Sequence, residues 1–129
     1  MCGICGELRF DGQAADGEAL ARMTRVLYPR GPDASGRFID GALAMGHRRL
    51  AVIDLSDAAS QPMRDDALGL ALVFNGVIYN YRELRRELAA RGERFFSDGD
   101  TEVVLRAWHV WGRDCLDRLD GMFAFAVWD

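Results

Sequence analysis

The chain has 129 residues, half of them hydrophobic, which suits one compact domain with a sizeable core. Its formal net charge of −4 argues against the basic footprint of a nucleic-acid-binding protein, and no apolar run approaches the roughly 20 residues of a membrane span. Three cysteines, an odd number without the spacing of a disulfide framework, favour a reducing compartment. The charged first ten residues are unlike a signal peptide, so we expect a cytoplasmic protein.

The first half of the chain is predicted to form four strands and one helix. The helix runs from a candidate N-cap at Asp16 to about Tyr28, where the following proline ends it. Asp40-Gly41 is a hairpin turn signal between two of the strands, and a polar loop through Asp66 follows the last one. The predicted strands are Gly3–Phe10, Ser35–Asp40, Ala42–His47 and Leu50–Leu55.

The second half is predicted to contain three helices between two strands. The first helix has a capping-box signal, Asn80 followed by Glu83, and the second has Asp100 as its candidate N-cap. The segment from Met122 to Trp128 is so apolar that it predicts a central strand. The other predicted elements are a strand over Leu70–Phe74 and helices over 81–91, 101–111 and 114–119.

This alternation of strands and helices indicates an α/β or α+β domain. The last predicted strand is central and apolar, yet the sequence stops one residue after it, at Asp129. A core strand without a following partner is an unusual terminus. We therefore expect the chain to be the N-terminal part of a longer protein.

Cys2, the second residue of the chain, is the first candidate catalytic residue. Removal of Met1 would place its thiol on the same residue as a free α-amino group. An α-amino group titrates close enough to neutral pH to act as the base for such a nucleophile. Taken alone, the position is better explained by an apolar thiol in a first strand.

Asn75-Gly76 follows a predicted buried strand and has two interpretations. The asparagine amide and the adjacent backbone N–H can hold an oxyanion during acyl transfer. Alternatively, Asn-Gly is the commonest hairpin dipeptide and would form a type I′ turn. The helix start at Asn80 leaves no room for a second long strand, which counts against the turn.

Arg49 and Asp100 are candidates for binding an amino acid. The guanidinium of Arg49 can clamp a carboxylate through two parallel hydrogen bonds, whereas a solvated loop arginine is the simpler interpretation. Asp100 can pair with an ammonium group, alone or in addition to capping a helix. An arginine and an aspartate on opposite walls of a pocket would suit the two charged groups of an amino acid.

The other cysteine and histidine signals are weak. Cys2 and Cys5 have the Cys-x-x-Cys spacing of redox dithiols, but those dithiols normally follow a complete strand and open a helix. His47 and His109 supply no second pair with the ligand spacing of a zinc site. No metal site is predicted.

Taken together, seven segments make the chain resemble the N-terminal glutaminase domain of class II glutamine amidotransferases, in particular the asparagine synthetase-like branch. Their order and spacing cover essentially the whole chain. The run Phe74–Leu84 also resembles the related enzymes that amidate N-acetylglutaminylglutamine. The seven segments are Met1–Ile4, Arg30–Asp33, His47–Asp54, Gln61–Met63, Phe74–Asn80, Asp98–Glu102 and Asp120–Phe125.

The resemblance implies an α+β fold of the N-terminal nucleophile hydrolase type, a four-layer α/β/β/α sandwich of antiparallel sheets that is truncated here on its C-terminal side. Residues 1–129 would then form an incomplete glutaminase domain. The full protein would add a synthetase domain that uses ATP and magnesium, while the glutaminase domain itself needs no cofactor. The absence of a nucleotide motif in this sequence agrees with that division.

The resemblance also implies a mechanism and a set of site residues. Cys2 would attack the side-chain amide of L-glutamine and form a thioester, with its own α-amino group as base, while Asn75 and Gly76 hold the oxyanion. Arg49 would bind the substrate carboxylate and Asp100 its ammonium group. The pocket wall would be formed by Leu50, Ala51, Val52, Ile53 and Val77.

One departure and several alternatives remain open. Many asparagine synthetases carry an acidic residue where this chain has Val77, which leaves Asp100 with more of the ammonium binding. The ammonia would pass in cis to the synthetase domain, whose acceptor is aspartate, N-acetylglutaminylglutamine or another carboxylate, and the resemblance admits a homo-oligomer of the full-length enzyme. The alternatives are a class II amidotransferase with a different acceptor, such as a sugar phosphate, or a non-catalytic binding or regulatory domain of the same fold.

Overall fold

A computed structural model describes all residues from 1 to 129 and shows two antiparallel sheets with helices on their outer faces. The strands are β1 (Gly3–Leu8), β2 (Ala34–Asp40), β3 (Leu43–Arg49), β4 (Met63–Asp65), β5 (Leu70–Ile78) and β6 (Gly121–Trp128). The α-helices are α1 (Gly17–Val26), α2 (Tyr81–Ala90) and α3 (Asp100–Trp111). Short 3₁₀ turns cover Tyr28–Arg30, Asp57–Ala59 and Gly112–Asp117.

The strand order is β1-β3-β2 in the first sheet and β4-β5-β6 in the second. Alternating residues of β3 and β5 point to opposite sides of their sheets, because side chains alternate along a strand. Met45 of β3 and Val73 of β5 are buried together between the sheets. On the outer side, Gly46 lies against Leu20 of α1, while Leu72 belongs to the main core with α2 and α3. The layers are therefore helix, sheet, sheet and helices.

Two local predictions are confirmed because turn and cap chemistry fixes them. β2 and β3 form the predicted hairpin, and Gly41 at its turn has φ of 53°, which glycine adopts readily. Asp16 caps α1 as predicted, since its carboxylate accepts the N–H groups of Glu18 and Ala19 at 2.9 Å.

The predicted strand over Leu50–Leu55 is wrong, because the structure places no strand there. The N–H groups of Leu50 and Ala51 are taken by side chains, those of Cys2 and Asp33. The guanidinium of Arg49 donates hydrogen bonds to the carbonyl groups of Asp54 and Ser56 and so also holds this segment. Conversely, the loop predicted to reach Asp66 contains the short strand β4.

The helices begin differently from the capping predictions. α2 starts after Asn80 as expected, but the Asn80 side chain bonds Arg118 O at 2.9 Å and Asp120 N at 3.1 Å in place of its own helix. Asp100 is the first residue of α3, with Gly99 at the N-cap, so its predicted capping role is wrong. None of the three α-helices has the length and apolar character that crossing a bilayer requires.

The predicted last strand is β6, which pairs with β5 of the second sheet. Its residues alternate in environment: Phe123 and Phe125 pack on the main core, while Met122 on the opposite face is 63% exposed. The uninterrupted apolar run concealed this alternation, because polarity alone cannot separate the two faces when both carry apolar residues.

Candidate active site

A cavity of about 230 Å³ lies between the two sheets, where the end of β3 faces the middle of β5. It is bordered by the start of the chain, the segment after β3, the middle of β5 and the first residues of α3. The structure brings all the predicted site residues to this one cavity. They are Cys2, Arg49, Leu50, Ala51, Val52, Ile53, Asn75, Gly76, Val77 and Asp100.

The Cys2 thiol is held against the backbone of Leu50. Its Sγ accepts the Leu50 N–H at 3.3 Å and lies 3.6 Å from the Leu50 carbonyl oxygen. These two contacts fix the position of the sulfur beside the segment after β3. The guanidinium of Arg30 fixes the Cys2 backbone by donating to its carbonyl at 3.0 Å. Met1 also lines the cavity, so the chain begins at the cavity wall.

The two cysteines near the start of the chain face opposite sides of the first sheet. Cys5 Sγ lies 3.5 Å from Thr24 Oγ1 on α1, away from the cavity that Cys2 lines. Both thiols are free. The Cys-x-x-Cys spacing therefore does not bring its two sulfur atoms to one site.

Arg49 is the last residue of β3 and is only 7% exposed, so the interpretation as a solvated loop arginine is wrong. Its Nη1 donates to Ser56 O at 2.9 Å and its Nη2 to Asp54 O, which holds the segment after β3 against the cavity. A guanidinium has five N–H groups, so others remain for a carboxylate.

The segment after β3 is fixed by further hydrogen bonds. Asp33 Oδ2 accepts the Ala51 N–H at 2.8 Å, and Asp54 accepts the N–H groups of Ser56 and Asp98, each at 2.8 Å. The hydrogen bonds from Ser56 are the main reason that the pKa of Asp54 is lowered, against the opposing effect of burial. Asp33 lies in a segment that carries the family resemblance, Arg30–Asp33, but the sequence did not predict this anchoring role.

Asn75 and Gly76 lie inside β5, which continues without interruption to Ile78. They pair with Ala124 and Phe123 of β6, so the interpretation as a type I′ turn is wrong. Asn75 Oδ1 is buried and has no hydrogen-bond partner in the protein, which is unusual for a structural amide. Gly76 has φ of 156°, and an added Cβ would lie 2.6 Å from Phe123 Cα, so only glycine fits.

The carboxylate of Asp100 is buried without a cation. It is 5% exposed, and its Oδ2 accepts the Ile78 N–H at 3.0 Å. Burial is the main cause of its raised pKa, and no positive side chain opposes the effect. An ammonium group in the cavity would supply the missing opposite charge.

Gln61 and Thr101 also line the cavity and were not predicted as site residues. Gln61 Nε2 donates to Thr101 Oγ1 at 3.4 Å, and both side chains are buried. Both residues belong to segments that carry the family resemblance, Gln61–Met63 and Asp98–Glu102. The position of these two residues in such segments was the one sign in the sequence that they belong to the site, because a glutamine in a polar segment suggests an exposed side chain.

The chain is similar to known proteins over its whole length. A family model described as a glutamine amidotransferase domain matches residues 1–129. Asparagine synthetase [glutamine-hydrolyzing] 3 of Bacillus subtilis is 43% identical over 132 residues, and the match covers 100% of this chain and 21% of that protein. A putative asparagine synthetase of Mycobacterium tuberculosis is 42% identical over 145 residues, covering 100% of this chain and 22% of that protein. The chain thus spans about a fifth of these relatives.

Two solved structures share the fold. The glutamine phosphoribosylpyrophosphate amidotransferase of B. subtilis, complexed with ADP and GMP, superposes with a TM-score of 0.58 at 28% identity, covering 70% of this chain and 22% of that one. A structure described as the allosteric regulatory enzyme of purine biosynthesis gives a TM-score of 0.54 at 26% identity over the same shares. The likeness confirms the predicted α+β fold with antiparallel sheets, of the N-terminal nucleophile hydrolase type.

Proposed function

Since the chain belongs to the family of glutamine amidotransferase domains, we propose that it hydrolyses L-glutamine to L-glutamate and ammonia with the Cys2 thiol as nucleophile. The observation that carries the proposal is the meeting of Cys2, Arg49, Asn75-Gly76 and Asp100 at one cavity. These residues come from four separate parts of the chain. Together they provide a nucleophile, an anion site, an oxyanion site and a cation site.

The reaction begins after removal of Met1, when the α-amino group of Cys2 becomes free. This amine takes the thiol proton as Sγ attacks the amide carbon of glutamine. The Asn75 side-chain amide and the Gly76 N–H donate to the tetrahedral oxyanion. The amine then gives its proton to the leaving nitrogen, the C–N bond breaks, and ammonia departs from a γ-glutamyl thioester. Water, losing a proton to the same amine, hydrolyses the thioester to glutamate and restores the thiol.

Substrate recognition follows from the charges at the cavity. The free N–H groups of Arg49 bind the α-carboxylate of glutamine, and Asp100 binds its α-ammonium group. Val77 has no charge to share the second task, so Asp100 carries it. The segment from Leu50 to Ile53 is preorganised by its bonds to Arg49 and Asp33, which lowers the entropy lost on binding.

The relatives support a second part of the proposal, in which the ammonia is used by a synthetase domain of the same protein. Both are described as asparagine synthetases, and each extends far beyond the region matched here. We propose that such a domain uses ATP and magnesium to activate the carboxylate of aspartate for amidation. The cytoplasmic location expected from the sequence stays a prediction.

The full-length protein with Cys2→Ser and Cys5→Ser variants tests the catalytic proposal. We expect intact mass to show loss of Met1, glutamate release by the wild type and Cys5→Ser, and none by Cys2→Ser. A glutamine-like diazoketone should label Cys2 only. A folded protein that keeps Met1, or activity that survives Cys2→Ser, would refute the proposal in favour of a non-catalytic domain.

The acceptor is tested by adding ATP, magnesium and aspartate to the active protein. Asparagine should form in step with glutamate. Formation of the amide only when N-acetylglutaminylglutamine replaces aspartate would contradict the aspartate proposal and leave the glutaminase proposal intact.

A further inference from the structure

Phe74, the residue before Asn75, is held in a way that strand pairing does not provide. β4 pairs with β5 only as far as Met63 opposite Leu72. From there onward, this side of β5 has no neighbouring strand within the second sheet, although buried backbone groups still require partners.

Two buried side chains replace the missing strand. Gln61 Oε1 accepts the Phe74 N–H at 2.6 Å, and His47 Nε2 lies 3.1 Å from the Phe74 carbonyl oxygen. His47 reaches this carbonyl from β3, across the space between the two sheets. The N–H and the carbonyl group of Phe74 are thus bound by two side chains, one from the segment before β4 and one from β3. We call this pair the Phe74 clamp.

The clamp acts on the geometry of Asn75 through the peptide bond. The Phe74 carbonyl and the Asn75 N–H lie in one rigid plane, because the peptide unit is planar. A hydrogen bond to that carbonyl therefore restricts rotation of the plane from which the Asn75 side chain departs. On its other side, Asn75 pairs with Ala124 of β6. The residue is consequently fixed from both sides.

His47 has a form suited to this task. A carbonyl oxygen only accepts hydrogen bonds, so Nε2 carries the proton and donates it. The ring is fully buried, which lowers its pKa to about 4 and keeps it neutral near pH 7. Its Nδ1 has no partner in the protein, a cost that an apolar side chain would avoid. His47 does not line the cavity, and its one side-chain hydrogen bond reaches the site through Phe74.

We propose that His47 and Gln61 are positioning residues, which clamp the Phe74 peptide and thereby hold the Asn75 amide in place for the oxyanion. The inference rests on the proposed glutaminase function. Displacement of a reacting group by about 1 Å costs on the order of 100-fold in rate, whereas glutamine binding through Arg49 and Asp100 does not depend on Phe74.

The substitutions His47→Met and His47→Gln, made in the full-length protein, form a matched pair. Methionine and glutamine have nearly the same shape, but only the glutamine amide can donate near the position of Nε2. We expect His47→Met to lower kcat for glutamine hydrolysis about 10- to 100-fold with KM within about threefold of wild type, given the cost of misplacing one donor. His47→Gln should recover most of the lost kcat.

Met45→Val supplies a control for stability. Met45 is buried on the same strand and faces the same inter-sheet layer, but it makes no hydrogen bond to β5. It should lower the unfolding temperature and leave kcat unchanged. Gln61→Met should lower kcat as His47→Met does, and the double variant should lose less than the product of the two effects, because both side chains hold the same residue.

The outcomes separate the inference from the function on which it rests. The clamp alone would be overturned if the wild type were active but His47→Met and His47→Gln had the same kcat. It would also be overturned if Met45→Val lowered kcat together with the unfolding temperature. A processed wild-type protein without glutaminase activity would refute the proposed function, and the clamp with it.

Discussion

The buried carboxylate of Asp100 allows a test in which activity and stability should move in opposite directions. Asp100→Asn keeps the shape and the oxygen that accepts the Ile78 N–H, but it removes the charge. In the protein the charge has no cation to offset its burial. We therefore expect the variant to fold more stably than the wild type and to bind glutamine less tightly.

The gain in stability should depend on pH. Burial raises the pKa of Asp100 above its ordinary value of 3.8, so folding favours the protonated carboxyl. The stability that protonated Asp100 contributes to the folded protein is fully present below pH 3.8. It is lost as the pH rises through the raised pKa, because the folded protein must then bury a charge. Asp100→Asn carries no charge at any pH. The stability advantage of Asp100→Asn over the wild type should thus grow as the pH rises from the ordinary pKa to neutral pH.

The loss of binding follows from the missing ion pair with the substrate ammonium. Removal of one charge from a buried, hydrogen-bonded pair costs at least about 2 kcal/mol, and asparagine retains one hydrogen bond. A cost of about 2–3 kcal/mol corresponds to a rise in KM of roughly 30- to 150-fold.

Urea unfolding from acid to neutral pH and glutamate release measure both effects. Asp98→Asn is the matched control, because the Asp98 side chain is 97% exposed and should change neither quantity. If Asp100→Asn were less stable than the wild type at neutral pH and kept its KM, Asp100 would not be an unpaired buried carboxylate that binds the substrate ammonium group.

Four further substitutions address other groups of the site. Asn75→Ala should lower kcat about 100- to 1,000-fold, measured as glutamate release, without lowering the unfolding temperature, because it removes a buried acceptor that has no partner. Gly76→Ala should abolish soluble expression or lower the unfolding temperature sharply, since its Cβ would meet the backbone of β6. Arg49→Lys should raise KM and increase proteolysis of the segment after β3, because a lysine cannot hold two carbonyl groups and a carboxylate together. His47→Gln should remove an acid sensitivity: the pKa of His47 falls from 6.5 to about 4 on burial, so wild-type stability should drop by about 3 kcal/mol as the pH falls through that window.

The elements that depend on local chemistry could be predicted from the sequence. The hairpin at Asp40-Gly41 and the start of α1 at Asp16 follow from backbone conformation and side-chain caps within a few residues. The strand over Leu50–Leu55 failed for the opposite reason. Its backbone groups are bound by Cys2 and Asp33, which are distant in sequence, and no propensity contains that information.

The candidate site divides in the same way. The residues with distinctive chemistry, such as Cys2 and Asn75, could be predicted because their types and order resemble a family pattern. Gln61 and Arg30 were missed as site residues because they act on the backbone of other residues, Phe74 and Cys2, over long sequence separations. Such roles become visible only when hydrogen-bond partners are known.

The polar groups at the cavity explain why an amino acid should stabilise the protein. Asp100 is a buried carboxylate without a cation, and Asn75 Oδ1 is a buried acceptor without a donor. Both are costs that the folded chain bears alone. Glutamine offers an ammonium group for the first and an amide N–H for the second, and its carboxylate matches the free N–H groups of Arg49. At about 100 times its Kd, it should therefore add about 2.7 kcal/mol to the stability, whereas an amide that lacks the ammonium group leaves Asp100 unpaired and should add much less.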